Sequence, residues 1–147
     1  MLGFDEVIDP DYEVAGPDKP GTAAGHGFSL MVKAVRDAAK DADLVIVMIH
    51  WGVELDTKPR DYQVTEGYRL IEAGADVIFG RHSHRLQPPS VYRGRPIFWS
   101  LGNFVWPDFS AAGSKTGVAQ VMVTPGGRFV AKLLSASIVA PGHPELR

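Results

Sequence analysis

Two short apolar runs, each ending in histidine, constrain this chain more than anything else in it. Asp43–Ile49 (DLVIVMI) leads into His50, and Asp76–Phe79 (DVIF) leads into Gly80-Arg81-His82-Ser83-His84. Short runs of β-branched and aliphatic residues without alternation are the pattern of strands buried on both faces of a parallel sheet. Between them the periodicity predicts a helix from about Tyr62 to Ala73, closed by Gly74. Its inner face is Val64, Tyr68, Leu70 and Ile71, and Gly67 weakens it slightly. Another helix precedes the first run, with Ser29 as its expected N-cap and Met31, Val32, Val35, Ala38 and Ala39 on its apolar side. Helix, strand, helix and strand with short links make a βαβ rhythm, so the two strands are expected to pair in parallel. Ligands of open α/β sheets bind outside the carboxyl ends of the strands. Three of the five histidines stand at those two ends.

The flanking sequence differs in texture. Residues 1–27 are rich in Asp, Pro and Gly and read as an irregular lead-in. Beyond Gly80, Val91–Arg93 and Pro96–Ser100 around Gly94-Arg95 read as a tight hairpin. Val118–Thr124 and Arg128–Val139 around Pro125-Gly126-Gly127 read as another. The expected organisation is therefore one α/β domain over residues 28–140, parallel strands first and an antiparallel hairpin at its end, followed by a tail at 141–147.

Composition narrows the function classes. With 147 residues the chain is long enough for a core. A net charge of −2 offers no argument for a nucleic-acid partner or an anionic membrane surface. No cysteine is present, which excludes thiolate metal sites and disulfides. No apolar run approaches membrane-spanning length, and the first residues, Met1-Leu2-Gly3-Phe4-Asp5-Glu6, lack the basic region of a signal peptide.

The chemistry therefore falls to imidazoles and carboxylates. His82-x-His84 after a strand, with His50 at the end of its neighbour, brings three neutral nitrogen donors toward one edge, a set suited to zinc, manganese or iron. Gly80 is expected to let the backbone turn sharply there. Glu54, four residues after His50, reads as a metal ligand, a partner orienting an imidazole, a general base or a solvated loop carboxylate. Trp51 either walls off the site or packs in the core. Asn103 either binds a ligand oxygen or closes a turn. Arg81 and Arg85 are placed to meet an anionic group. Asp56 and Asp61 read as surface residues, and His26 and His143 as surface residues of unstructured ends.

Taken together, His50-Trp51-Gly52-Val53-Glu54, Gln63, Ile71-Glu72-Ala73-Gly74-Ala75-Asp76, Gly80-Arg81-His82-Ser83-His84 and Ser100-Leu101-Gly102-Asn103-Phe104 closely resemble, in order, the CapA-type poly-γ-glutamate capsule-synthesis proteins. The resemblance extends from about Pro20 to about Thr124. That family resembles in turn a branch of the calcineurin-like metallophosphoesterases. The resemblance implies part of a four-layer α/β/β/α sandwich, with His50, His82 and His84 as metal ligands. It also implies one or two divalent metals, which activate water and clamp phosphoryl oxygens. It further implies a cell-surface or membrane-associated setting, an anionic polymer or phosphorylated substrate, and work within a capsule-synthesis complex.

On this reading Glu54 and His50 are the expected catalytic groups, and Arg81, Asn103 and Trp51 the expected substrate contacts. Two departures accompany the resemblance. Ser83 stands where the family usually has proline. Residues 1–27 show none of the family's N-terminal aspartate and asparagine ligands, and Asp5, Asp9 and Asp11 do not read as strand-end residues. The chain thus corresponds to the C-terminal half of such a domain. Two functions follow: a metal-dependent phosphoesterase-like hydrolase once the domain is complete, or a non-catalytic assembly or binding component with an incomplete site. Half a sandwich is also expected to expose an apolar face or edge near Val45–Met48 and to favour self-association.

Overall fold

A computed structural model describes residues 1–8, 13–25, 27–107 and 110–147. The chain forms a mixed α/β fold with two sheets. In chain order the elements are β1 (Leu2–Asp5), α1 (Phe28–Asp41), β2 (Ile46–His50), α2 (Asp61–Ala73), β3 (Val77–Arg81), β4 (Ser90–Tyr92), β5 (Arg95–Phe98), β6 (Lys115–Val123), β7 (Phe129–Ala140) and β8 (His143–Leu146). The first sheet has the order β1-β2-β3-β5-β4, and the second has β6-β7-β8. β1, β2, β3 and β5 are parallel neighbours, whereas β4 and the whole second sheet are antiparallel. Among the described residues no helix is long and apolar enough to cross a membrane.

The pleat of β2 decides what each face of the first sheet does. Val47 and Ile49 point into the core with Met31 and Val35 of α1 and Leu70 and Ile71 of α2. Their register partners Leu2, Phe4 and Ile78 join them. Ile46, Met48 and His50 alternate to the opposite face. There β7 lies over the β5 end, where Phe98, Ala131 and Leu133 line one small cavity. The β2 end stays open: Met48 is 44% exposed and lines an apolar groove of about 440 Å³ with Ile46, Phe79, Phe104 and Val118. The apolar surface expected near Val45–Met48 is therefore present, carried by Ile46 and Met48, while Val45 and Val47 are buried.

Several local expectations need correction. The lead-in contains a strand, because Leu2 and Phe4 alternate with Gly3 and Asp5 and so can pair with β2. Four residues are too short for periodicity to stand out among prolines and glycines. The tail likewise contains β8, which pairs with β7 and includes His143. Ser29 does not cap α1. Gly27 does, at φ 86°, with no side-chain cap, and Ser29 lies inside the first turn. Gly74 closes α2 as expected, at φ 117°, and its N–H reaches the carbonyls of Leu70 and Ile71. The hairpin at 93–94 also forms as expected, with Arg93 and Gly94 both at positive φ (49° and 77°). His26, Asp9 and Asp11 lie outside the described residues.

Candidate functional site

The carboxyl ends of three parallel strands meet at one edge of the open face. Asp5, His50 and Arg81 are register partners there, one on each of β1, β2 and β3. Equal register in a parallel sheet puts side chains on the same face, so these three form a row of carboxylate, imidazole and guanidinium. Asp5 was not legible as a strand-end residue, because β1 itself was not. Its Oδ1 also accepts a hydrogen bond from the Val7 N–H (2.9 Å). Arg81 is exposed, so its charge is available at this edge.

His82 and His84 follow β3 directly. His50 Nε2 and His82 Nδ1 are 2.8 Å apart. The His82 and His84 ring centroids are 6.4 Å apart. Gly80 is not the turning point, since it lies within the extended strand β3. The turn is made by the histidines themselves, His82 at φ 104° and His84 at φ 53°. Side chains rarely adopt such values, which cost about 1–3 kcal/mol each and persist only where the surroundings impose them. The imposing contacts are visible. The Ser83 hydroxyl donates to the Arg85 carbonyl (3.0 Å) and accepts from the Arg85 N–H (3.3 Å). The Ser83 carbonyl accepts from Leu55 N–H (2.8 Å). Serine at this position thus pins the turn through its hydroxyl.

Burial is the main force lowering the pKa of His50, helped by the charges of His82, Arg81 and His84 and opposed by Asp5. Its Nδ1 is buried and has no hydrogen-bond partner among the described residues. A neutral imidazole with an orphaned buried nitrogen suits a divalent cation. The arrangement as a whole does not yet make a cage: among the described residues no group of three or more His, Asp or Glu side chains is placed to hold one ion. His50 and His82 instead satisfy each other.

The remaining predicted residues separate clearly. Trp51 is in the core, 1% exposed and stacked on Trp99, so packing rather than ligand contact accounts for it. Glu54 is exposed on the loop after β2 and makes no hydrogen bond to the three imidazoles among the described residues. Gln63 is buried, and its Oε1 accepts from the Arg60 N–H at the start of α2 (2.9 Å). Arg85 donates to the His84 carbonyl (2.7 Å), so it braces the loop. Asp56 pairs with Arg60. Asn103 is buried and bonded to His84 Nδ1 (2.6 Å).

Sequence reasoning also missed a carboxyl pair beside the site. Glu6, one residue past β1, faces Glu66 of α2 in a cleft of about 310 Å³ that Tyr62 and Phe28 also line. Burial pushes Glu6 up to about 8, and the charge and hydrogen bond of Glu66 and the charge of Asp5 add to it. Burial raises Glu66 as well, although its bond to Glu6 and the charge of Arg69 oppose the rise. The pair therefore shares a proton near neutrality. The folded state keeps a proton that the unfolded chain releases near its ordinary carboxylate value, so stability falls as pH rises from about 4.5 toward about 8. We expect the unfolding midpoint of the parent to drop between pH 7 and pH 9. Glu6→Gln should remove most of that drop and raise the midpoint at pH 9 by about 3 °C. Thermal scans at the two pH values check this, and parallel slopes in parent and variant would refute the shared proton.

The family "Bacterial capsule synthesis protein PGA_cap" matches residues 6–108. The "PGA biosynthesis protein CapA" of Bacillus subtilis (strain 168) is 40% identical over 105 residues, which are 71% of this chain and 27% of that protein. The "Capsule biosynthesis protein CapA" of Bacillus anthracis is 39% identical over 108 residues, 71% of this chain and 26% of that protein. A "Probable polyglutamine synthesis accessory protein" of Mycobacterium tuberculosis is 32% identical over 107 residues. The chain thus spans about a quarter of the length of the relatives it matches. The matched segment begins one residue past β1 and includes all three imidazoles of the edge, and by that match the chain belongs to the bacterial capsule synthesis (PGA_cap) family.

Proposed function

We propose that this chain supplies the imidazole side of a divalent-metal hydrolase site of the metallophosphoesterase type, working in poly-γ-glutamate capsule biosynthesis. The observation that carries the reading is the convergence of His50, His82 and His84 on one strand edge, with a buried His50 nitrogen left without a partner among the described residues. His50, His82 and His84 would hold the metal, manganese, iron or zinc, and Asp5 stands next to them in register. Bound there, a divalent ion supplies an activated water and a clamp for phosphoryl oxygens. Arg81, exposed at the same edge, would orient an anionic polymer or phosphorylated group. His50, held neutral by burial, has a nitrogen ready to ligate at neutral pH without first losing a proton. Glu54 would assist from the loop after β2, whose next residue, Leu55, already donates its N–H to the Ser83 carbonyl between the two histidines.

The test is metal uptake by the purified protein, measured by mass spectrometry and by manganese or zinc titration. We expect binding that weakens at least tenfold (about 1.4 kcal/mol) in His50→Ala and in the double variant His82→Ala/His84→Ala. Equal and negligible metal in parent and variants would sink the reading. One observation favours a second reading, a non-catalytic binding or assembly component: among the described residues no three His, Asp or Glu side chains are placed to hold one ion. Turnover of aryl phosphates with added manganese, abolished by His50→Ala, would refute that second reading.

A further inference from the structure

We propose that Asn103 is a positioning residue that locks His84 in its Nδ1–H tautomer and leaves Nε2 as the ring's only lone-pair nitrogen. The inference deepens the proposed function, since it rests on that reading for the use made of Nε2. The tautomer itself stands on hydrogen-bond chemistry alone.

The argument begins with the carboxamide. Asn103 is 8% exposed, so both ends of its amide must be satisfied inside the protein. One end faces the carbonyl oxygen of Gly113 at 3.3 Å. A carbonyl only accepts, so the amide NH2 must point there and the amide oxygen must point the other way. That oxygen lies 2.6 Å from His84 Nδ1. An amide oxygen also only accepts, so Nδ1 must carry a proton. A neutral ring protonated at Nδ1 has its lone pair on Nε2. The reversed amide would set oxygen against the Gly113 oxygen and force Nδ1 to accept, losing one bond and adding a repulsion.

The surroundings hold this amide in place. Gly102, at φ 73°, turns the chain ahead of Asn103 where a Cβ would lie 2.9 Å from the Lys115 carbonyl. Gly113 approaches so closely that a Cβ there would meet Ser110 Oγ at 2.8 Å and Asn103 Nδ2 at 3.6 Å. Gly113 N–H donates to Ser110 Oγ (3.0 Å), which fixes the direction of the segment that offers the carbonyl. On the histidine side, Arg85 Nη1 holds the His84 carbonyl and the Trp106 ring lies 4.7 Å from the imidazole. The polar triad His84–Asn103–Gly113 thus joins the loop after β3 to the segment before β6. His82 differs, because its Nδ1 meets another imidazole and either ring can be the donor. Of the three site histidines, His84 is the one whose ligating nitrogen is fixed by a side chain that cannot titrate.

The experiment is long-range proton–nitrogen correlation NMR on the metal-free protein at neutral pH, with His84 assigned by its absence from His84→Gln. We expect a protonated Nδ1 and an unprotonated Nε2 in the parent. Asn103→Ala should let the ring revert to the Nε2–H form that free neutral imidazole prefers. Asn103→Asp keeps the acceptor for Nδ1 but turns its second oxygen on the Gly113 carbonyl, so Nδ1–H should return with a loss of stability. Zinc affinity should fall about tenfold in Asn103→Ala, as expected on losing an outer partner of a ligand, and recover in part in Asn103→Asp. A parent His84 carrying its proton on Nε2 overturns the proposal outright, even where the alanine variant does not fold. An unchanged tautomer in a folded Asn103→Ala overturns it too. Failure of metal binding with the tautomer as stated would instead count against the proposed function alone.

Discussion

Replacing Gly80 with alanine is expected to destabilise the protein by about 4 kcal/mol, a large part of the roughly 5–15 kcal/mol that holds a domain together. Gly80 is the β3 residue opposite Ile49, on the face turned to the helices. A Cβ there would press on the Trp99 carbonyl oxygen and would lie 2.5 Å from Trp51 Nε1 and 2.8 Å from the Trp99 carbonyl carbon. Neither neighbour is the loose end of a flexible chain. The Trp51 indole N–H donates to that same Trp99 carbonyl at 3.1 Å, so the new methyl would wedge into an existing hydrogen bond. Overpacking of this kind costs about 1–3 kcal/mol, and a buried hydrogen bond left unmade adds about 1–3 kcal/mol. Gly3→Ala is the control: it sits in a strand of the same sheet, and its Cβ would meet nothing within 4 Å. Urea unfolding of the two variants should give a large loss for Gly80→Ala and little change for Gly3→Ala. Equal stabilities would refute the close approach of Trp51 and Trp99 over Gly80.

The contrast between those two glycines shows what the sequence discloses and what it hides. β2, α2, β3 and both hairpins were legible because their signals are local: an apolar run, a helical stripe ended by Gly74, and glycines between alternating strands. The histidines were legible because they follow those runs. Asp5 was hidden because four residues of strand, among prolines and glycines, carry too little pattern. It gained meaning only when pairing with β2 placed it beside His50. The Glu6–Glu66 pair was hidden for a related reason: nothing local links a residue after β1 to one in the middle of α2. Gly80 was legible as important, but for the wrong physics. Its missing side chain makes room for two indoles rather than freeing a turn, and the turn falls to His82 and His84.

Trp51 carries the other large effect, and its position beside His50 makes the result informative about the site. Its ring stacks on Trp99 at 5.7 Å and 22°. Trp99 in turn meets Tyr68, which stacks on Tyr92 at 3.9 Å. Gly67 of α2 lies beneath the two indoles, since a Cβ there would come within 2.8 Å of Trp99 and 3.4 Å of Trp51. Trp51→Ala should therefore cost about 3–5 kcal/mol and lower the unfolding midpoint by about 10 °C. Trp51→Phe keeps part of the stack but leaves the Trp99 carbonyl unpaired, for a smaller loss of about 1–3 kcal/mol. Near-ultraviolet circular dichroism and thermal scans check both. Trp51 faces the core while His50, one residue earlier, faces the open edge, so the indole acts on the imidazole only by fixing the end of β2. Metal affinity per folded molecule should then be little changed in Trp51→Phe. A variant as stable as the parent that has lost its ligand would return Trp51 to the site and remove it from the core.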